Sequence, residues 1–305
     1  MAANIGQMDY TRFRFKAVID WIEIEIYTAT STNFQTVQRR LNDILRLSEG
    51  RNAYVKACES GAGGSALVFR FRIYNPLDWQ EVIVKLQKLE ELIAFSKQPK
   101  VTIIEVAFDG YSKGEAKHDE LAQLVASYYR NLTLFVSDNR RLYKKGKGSP
   151  KYANVRPEFL VKDISEGWQI GIGNNDDDRY QHAYLKTTDD GELLPAEEHR
   201  ARLEIRLQGE EISHLTLEDW KKYSFQSLSR FFKFRRRKDE KLDPLMQLLV
   251  EIDPQIGERG RSKIAGKNRL YSKNRLYSKH TEADKILNRK AFDALRNLSE
   301  RWKGG

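Results

Sequence analysis

The chain predicts an α+β fold, an antiparallel sheet with flanking helices, on three observations. Apolar and polar residues alternate in several segments, among them Val18–Tyr27 (VIDWIEIEIY) and Arg200–Gln208 (RARLEIRLQ), the period of a half-buried strand. Other segments carry apolar residues at helical spacing. Short turns rich in Gly, Asn and Asp separate the later strand-like runs, which suits antiparallel pairing.

In order, the Val18–Tyr27 strand leads into a helix over Phe34–Leu47, with Phe34, Val37, Leu41, Ile44 and Leu45 on one side. Ala53–Ala57 and Ala66–Tyr74 read as strands around the turn Gly61–Gly64. Pro76 and Asp78 open a helix running to about Phe95, and Val101–Asp109 (VTIIEVAFD) is the next strand. A second round follows: a helix over His118–Arg130, a strand over Leu132–Val136, and a basic stretch, 140–151 (RRLYKKGKGSPK), read as a mobile loop from its Gly, Ser and Pro. Three strands close it, Trp168–Gly173, Arg179–Thr187 and Arg200–Gln208, joined by the turns Asn174–Asp178 and Thr188–Pro195. Residues 10–212 thus read as one α+β domain, its halves readable as two related strand–helix units. Leu215–Arg237 reads as a basic amphipathic helix within a basic helical region, 213–255. Residues 256–305 read as a flexible basic segment ending in a helix over Glu282–Trp302, with the hexamer NRLYSK repeated at 268–273 and 274–279.

The formal charge is +10, and its placement is more informative than its size. Residues 220–241 hold nine Lys and Arg against two acids, and residues 256–305 hold fourteen against five, while residues 1–219 are slightly acidic. Localised cationic surface attracts polyanions and can displace the counterions of DNA or RNA. Its competing reading is a solvated face. A single cysteine, Cys58, excludes an intramolecular disulfide and a Cys-based zinc cage. With no apolar run near membrane-spanning length and no secretory signal at the start, the expected location is the cytoplasm, with no membrane partner.

Acids on apolar strands are the first chemical signal. Asp20, Glu105, Asp109 and Glu204 lie on three strand-like segments, and Glu105 and Asp109, four apart, share a strand face. Such acids need a partner, water or a metal. Oxygen-only ligands suit Mg²⁺ or Mn²⁺, ions suited to phosphate chemistry. The plainer reading places the same acids on the wet face of the sheet. The densest cluster is Gly171–Thr187 (GIGNNDDDRYQHAYLKT), in which Tyr180, His182, Tyr184 and Lys186 alternate onto one face. A phenol beside a divalent ion and an ammonium can attack a phosphodiester; the same tyrosines could equally serve packing alone.

The ordered set Gly171, Gly173, Asp178, Arg179, Tyr180, Tyr184, Lys186 and Thr187, followed by Arg202, Glu204 and Arg206, resembles the replication initiation factor family of rolling-circle plasmids and filamentous phages. DWIEIEI and IEVAFD resemble its opening and middle acidic strands, so the likeness spans about 18–212. The resemblance implies a metal-dependent enzyme that nicks one strand at an origin, joins a tyrosine to the 5′ end and leaves a 3′ hydroxyl primer. It makes Tyr180 the first choice of nucleophile and Tyr184 the second, with His182 and Lys186 beside them. Asp20, Glu105, Asp109 and Glu204 would be the ligands, and Lys186 and Arg202 would hold phosphate.

The cations expected to face DNA are Arg179, Arg202, Arg206, Lys233, Arg235, Arg236, Arg237, Lys267 and Arg269. The implied partner is origin DNA, single-stranded or cruciform, with a host helicase or polymerase downstream. No His-x-His pair occurs, so metal ligation would fall to carboxylates with at most His182. No G-x-x-x-x-G-K-[ST] loop points to ATP hydrolysis. A DNA- or RNA-binding module without chemistry, and a partner-docking protein using the C-terminal helices, are the competing classes.

Overall fold

Strand β1 (Phe13–Asn33) is the longest element among the described residues and organises the rest. Its Ile22, Ile24 and Ile26 are fully buried on one face, while Trp21, Glu23, Glu25 and Tyr27 alternate onto the other. The computed structural model describes residues 8–47, 50–58, 65–115, 117–133, 139–144, 149–189, 191–237 and 281–304. After β1 come α1 (Phe34–Leu45), β2 (Val55–Ala57), β3 (Ser65–Tyr74), α2 (Trp79–Leu92) and β4 (Phe95–Ser112). Then follow α3 (His118–Asn131), β5 (Arg140–Lys144), β6 (Lys151–Ala153), α4 (Leu160–Ser165), β7 (Gln169–Ile172) and β8 (Arg179–Lys186). The short pair β9 (Thr188–Asp189) and β10 (Glu192–Leu193) precedes β11 (Arg200–Gln208), α5 (Leu217–Lys221), β12 (Arg235–Arg237), β13 (Thr281–Ala283) and α6 (Lys285–Trp302).

Among the described residues, nine strands form one sheet in the order β2-β3-β1-β4-β11-β8-β7-β5-β6, and every neighbouring pair is antiparallel. The expected α+β class, an antiparallel sheet flanked by helices, is therefore what the chain adopts. One face of the sheet is apolar: Phe69, Phe71, Ile104, Val106, Phe108, Leu203, Ile205, Ala183, Ile170 and Leu142 are all buried there. α3 packs against β4, β8 and β11, α1 against β1 and β3, and α6 against β1. Caps fix several helix starts: Asn33 accepts from the Gln35 amide, Asp78 from Glu81 and Asp284 from Leu287.

Three expectations are corrected. Arg140–Lys144 is not a mobile loop but strand β5, paired with both β6 and β7. The two glycines and the one proline of the 140–151 stretch, Gly146, Gly148 and Pro150, come after Lys144, and the partner that straightens β5, β7, is some 30 residues on and invisible to a local reading. Nor is Leu215–Arg237 one amphipathic helix: α5 ends at Lys221, a 3-10 stretch covers Phe225–Phe231, and β12 follows. Trp220, Phe225, Leu228, Phe231, Phe232 and Phe234 are all buried, and a straight helix would not present so many rings to one core. The last helix begins at Lys285 rather than Glu282 and joins that core, with Trp302 Nε1 donating to the Trp220 carbonyl at 2.8 Å. Gly61–Gly64, the end of the Leu132–Val136 strand, the NRLYSK repeats, Lys267 and Arg269 lie outside the described residues.

Candidate metal and nucleic-acid site

Opposite the helices, the other face of the sheet is polar. Register places its residues in rows, since antiparallel partners point to the same side. Across β4, β11 and β8, Glu105 faces Arg206 and Arg206 faces Tyr180; Glu204 faces His182; Asp109 faces Arg202 and Arg202 faces Tyr184. β7 and β5 extend the middle row, with Gly171 opposite His182 and Arg141 opposite Gly171.

Asp20 reaches this face through an irregularity. Ile19 pairs with Val106 and Trp21 with Glu105, so Asp20 is an extra residue without a partner on β4, a β-bulge. The bulge reverses the alternation of β1, placing Ile19 and then Ile22 on the apolar side. Single oxygens of Asp20, Glu105 and Glu204 consequently lie within 4.8 Å of one another. Glu105 accepts from Trp21 Nε1 at 2.7 Å and from Arg206 Nε at 2.8 Å, and Arg202 Nη1 donates to Asp20.

The phenols surround Glu204. Tyr184 donates its hydroxyl to Glu204 Oε1 at 2.8 Å, and its ring stacks on His182 with centroids 4.4 Å apart. His182 Nδ1 meets Glu204 Oε2 at 3.2 Å, while its Nε2 lies 3.1 Å from Gln169 Oε1 and is hydrogen-bonded to the Tyr143 hydroxyl. Tyr180 points elsewhere: its oxygen would sit 2.7 Å from a Cβ at Gly171, so the missing side chain makes room for it. The Tyr180 and Tyr143 hydroxyls interact, and the Arg206 guanidinium lies 5.5 Å from the Tyr180 ring centroid.

Burial dominates the electrostatics. It lifts Glu105 to about 7, with the charge of Glu204 adding to the rise and Arg206 opposing it. Glu204 is raised to about 7 for the same first reason, against the pull of Arg202. All three phenols are pushed upward, chiefly by burial. An oxygen-only trio of crowded carboxylates, two of them resisting ionisation, fits a hard divalent cation, which would relieve the repulsion.

No family model matches the chain, and no curated protein matches it. Among solved structures it is similar to a rolling circle replication initiator protein from Geobacillus stearothermophilus, at TM-score 0.39 and 14% identity over 79% of this chain and 97% of that one. It is also similar to the aspartate kinase of Clostridium acetobutylicum, at TM-score 0.21 and 15% identity over 50% of this chain and 34% of that one. A third structure, aspartate kinase from Synechocystis, overlaps at TM-score 0.22 and 8% identity, over 93% and 55% of the two chains. Superpositions this loose leave the site to be read from its own residues.

Of the four acids read as ligands, the fold gathers Asp20, Glu105 and Glu204 and sets Asp109 apart. Asp109 is fully buried and gripped by Arg202, Nε to Oδ1 at 2.7 Å and Nη2 to Oδ2 at 2.8 Å, with Arg200 Nε at 3.4 Å. Arg202, 2% exposed, is correspondingly committed inside the sheet face rather than turned toward a ligand. Arg206 pairs with Glu105, and Lys186 pairs with Asp189 at 2.8 Å and approaches Asp20 at 3.9 Å. Arg179 lies over the Phe231 ring at 5.8 Å, Lys233 is exposed, and Arg236 pairs with Glu282 at 2.7 Å beside Arg235 in β12. The Arg237 side chain lies outside the described residues. The acidic turn after β7 is tied down: Gln208 Nε2 donates to the Asn175 and Asp177 carbonyls.

Sequence reasoning missed Trp21, Tyr143 and Gln169 as parts of this site. Trp21 alternates with Glu23 and Glu25 in the same strand, a usable signal. Tyr143 carried none, because its segment reads as a loop until β7 is placed beside it.

Proposed function

We propose that the chain is a divalent-metal-dependent DNA-nicking enzyme that opens one strand through a tyrosine, the rolling-circle initiation chemistry its sequence resemblance implies. The convergence of Asp20, Glu105 and Glu204 from three strands, with a phenol hydrogen-bonded to one of them, carries this reading. Asp20, Glu105 and Glu204 would hold the cation, which would supply Lewis-acid polarisation of the scissile phosphate. Tyr184 suits the nucleophile better than Tyr180, the first choice from sequence. The Tyr184 hydroxyl donates to Glu204, whereas that of Tyr180 packs over Gly171. In the step, the Tyr184 oxygen bonds to phosphorus and the bond to the 3′ oxygen breaks. The phenolic proton passes to Glu204 Oε1, and the departing oxygen takes a proton from solvent water to become the 3′ hydroxyl. Host helicase or polymerase partners and a cytoplasmic location follow from this reading.

A second reading, a DNA- or RNA-binding module without chemistry, is favoured by the arginines. Arg202 and Arg206 already satisfy Asp20 and Glu105 without any metal.

The deciding experiment is incubation with supercoiled plasmid carrying the cognate origin plus Mn²⁺. Open circles with protein on the 5′ end, lost in Tyr184→Phe and retained in Tyr180→Phe, are the expected result. Loss only in Tyr180→Phe restores the sequence-based order. Nicking by the double variant removes this site from the chemistry, and absence of nicking in the parent chain favours the binding module.

A further inference from the structure

Among the described residues, four cations of the polar face are already spoken for. Arg202 is bound to Asp109 and Asp20, Arg206 to Glu105, Arg200 to Asp109 and Lys186 to Asp189. Arg141 differs. It lies on the same face, opposite Gly171 and two residues from Tyr143, and forms no ion pair among the described residues. Its Nε is shielded from solvent and meets no acceptor there. Its charge acts on the Tyr180 phenol, opposing the upward push of burial. An unpaired guanidinium on a partly buried, polar face is a standing cost unless an anion completes it.

Beside it stands an exposed ring. Tyr152 on β6 pairs with Tyr143 on β5, so both share the face of Arg141. Tyr152 is 63% exposed, and the Arg141 guanidinium lies 5.6 Å from its ring centroid. β6 is the edge of the sheet, so nothing in the sheet lies beyond Tyr152. A cation seeking an anion next to an open aromatic face is the pairing that holds one nucleotide of a single strand, phosphate on one and base on the other.

We infer that Arg141 and Tyr152 form a nucleotide subsite at the β5–β6 edge, where Arg141 holds a backbone phosphate and Tyr152 stacks the adjoining unpaired base. The inference deepens the proposed function and rests on its substrate being a nucleic-acid strand. It places the entry of that strand beside Tyr143 and Tyr180, with Arg141 at the far end of the row that runs through Gly171 and His182 to Glu204.

Fluorescence anisotropy with a labelled single-stranded oligo-dT of about 15 nucleotides, in EDTA, tests it without metal or cleavage. Arg141→Ala should weaken binding roughly tenfold and reduce the slope of log K against log salt by about 0.7, the loss of one phosphate contact. Arg141→Lys should retain that slope. Tyr152→Ala should weaken binding roughly tenfold at unchanged slope, and Tyr152→Phe should bind like the parent chain. A duplex of the same length should not respond to Tyr152→Ala, because its bases are already stacked. Parent-like affinity and slope in Arg141→Ala, or parent-like affinity in Tyr152→Ala, would overturn the subsite even if the plasmid is nicked. A plasmid left intact would sink the nickase reading while leaving these binding results standing.

Discussion

Arg202 on β11 and Asp109 on β4 face each other through two parallel hydrogen bonds of 2.7 and 2.8 Å, with Asp109 fully buried. The pair holds Arg202 where it can also reach Asp20 and Glu204. Removing one partner leaves an uncompensated buried charge. Arg202→Ala should therefore lower stability by about 3–5 kcal/mol in chemical denaturation. Arg202→Met with Asp109→Leu should recover most of that loss. Equal destabilisation by single and double variants would show that the pair is not the reason.

Gly171 gives Tyr180 its place. A Cβ at 171 would lie 2.7 Å from the Tyr180 oxygen. Gly171→Ala should cost about 1–3 kcal/mol through overpacking. The cost should shrink in a Tyr180→Phe background, where the oxygen is gone. A double-mutant cycle with no coupling would contradict the contact.

Glu105 and Glu204 titrate near 7 in the folded chain, against an ordinary 4.5. Between those values the folded state keeps protons that the unfolded chain has released, so stability falls as pH rises through that window and stays low above it. In EDTA, the melting temperature at pH 8 should lie below that at pH 6, by on the order of 5 °C. A curve that rises over this interval would mean the two carboxylates are ionised at little cost.

Divalent cation should reverse that effect. At pH 8, saturating Mn²⁺ should raise the melting temperature of the parent chain, since ligand binding to the folded state alone stabilises it. Glu105→Gln and Glu204→Gln should each lose most of the rise. The same rise in both variants would move the cation elsewhere.

Trp302 anchors the last helix. Its ring is fully buried, 5.3 Å from that of Trp79 and 5.6 Å from that of Phe225. Trp302→Ala should cost about 3–5 kcal/mol, read by denaturant midpoint. An unchanged midpoint would show that α6 is dispensable to the core.

The sequence by itself determined which residues share a strand face. A period of two is local, so Tyr180, His182 and Tyr184, or Glu105 and Asp109, could be grouped without coordinates, and the α+β class followed from the same periodicities. What only the tertiary structure decided was which strands lie side by side, because that pairing joins segments far apart in the chain. The order β4-β11-β8-β7-β5 brings Glu204 to His182 and Tyr143 to His182, and it gives Asp109 to Arg202 rather than to the acidic trio. A one-residue bulge decides the place of Asp20, and no local pattern announces it. The segment after Leu215 misled for the complementary reason: its aromatic residues look like one helical stripe until the core that receives them, with Trp302 from the far end of the chain, is in place.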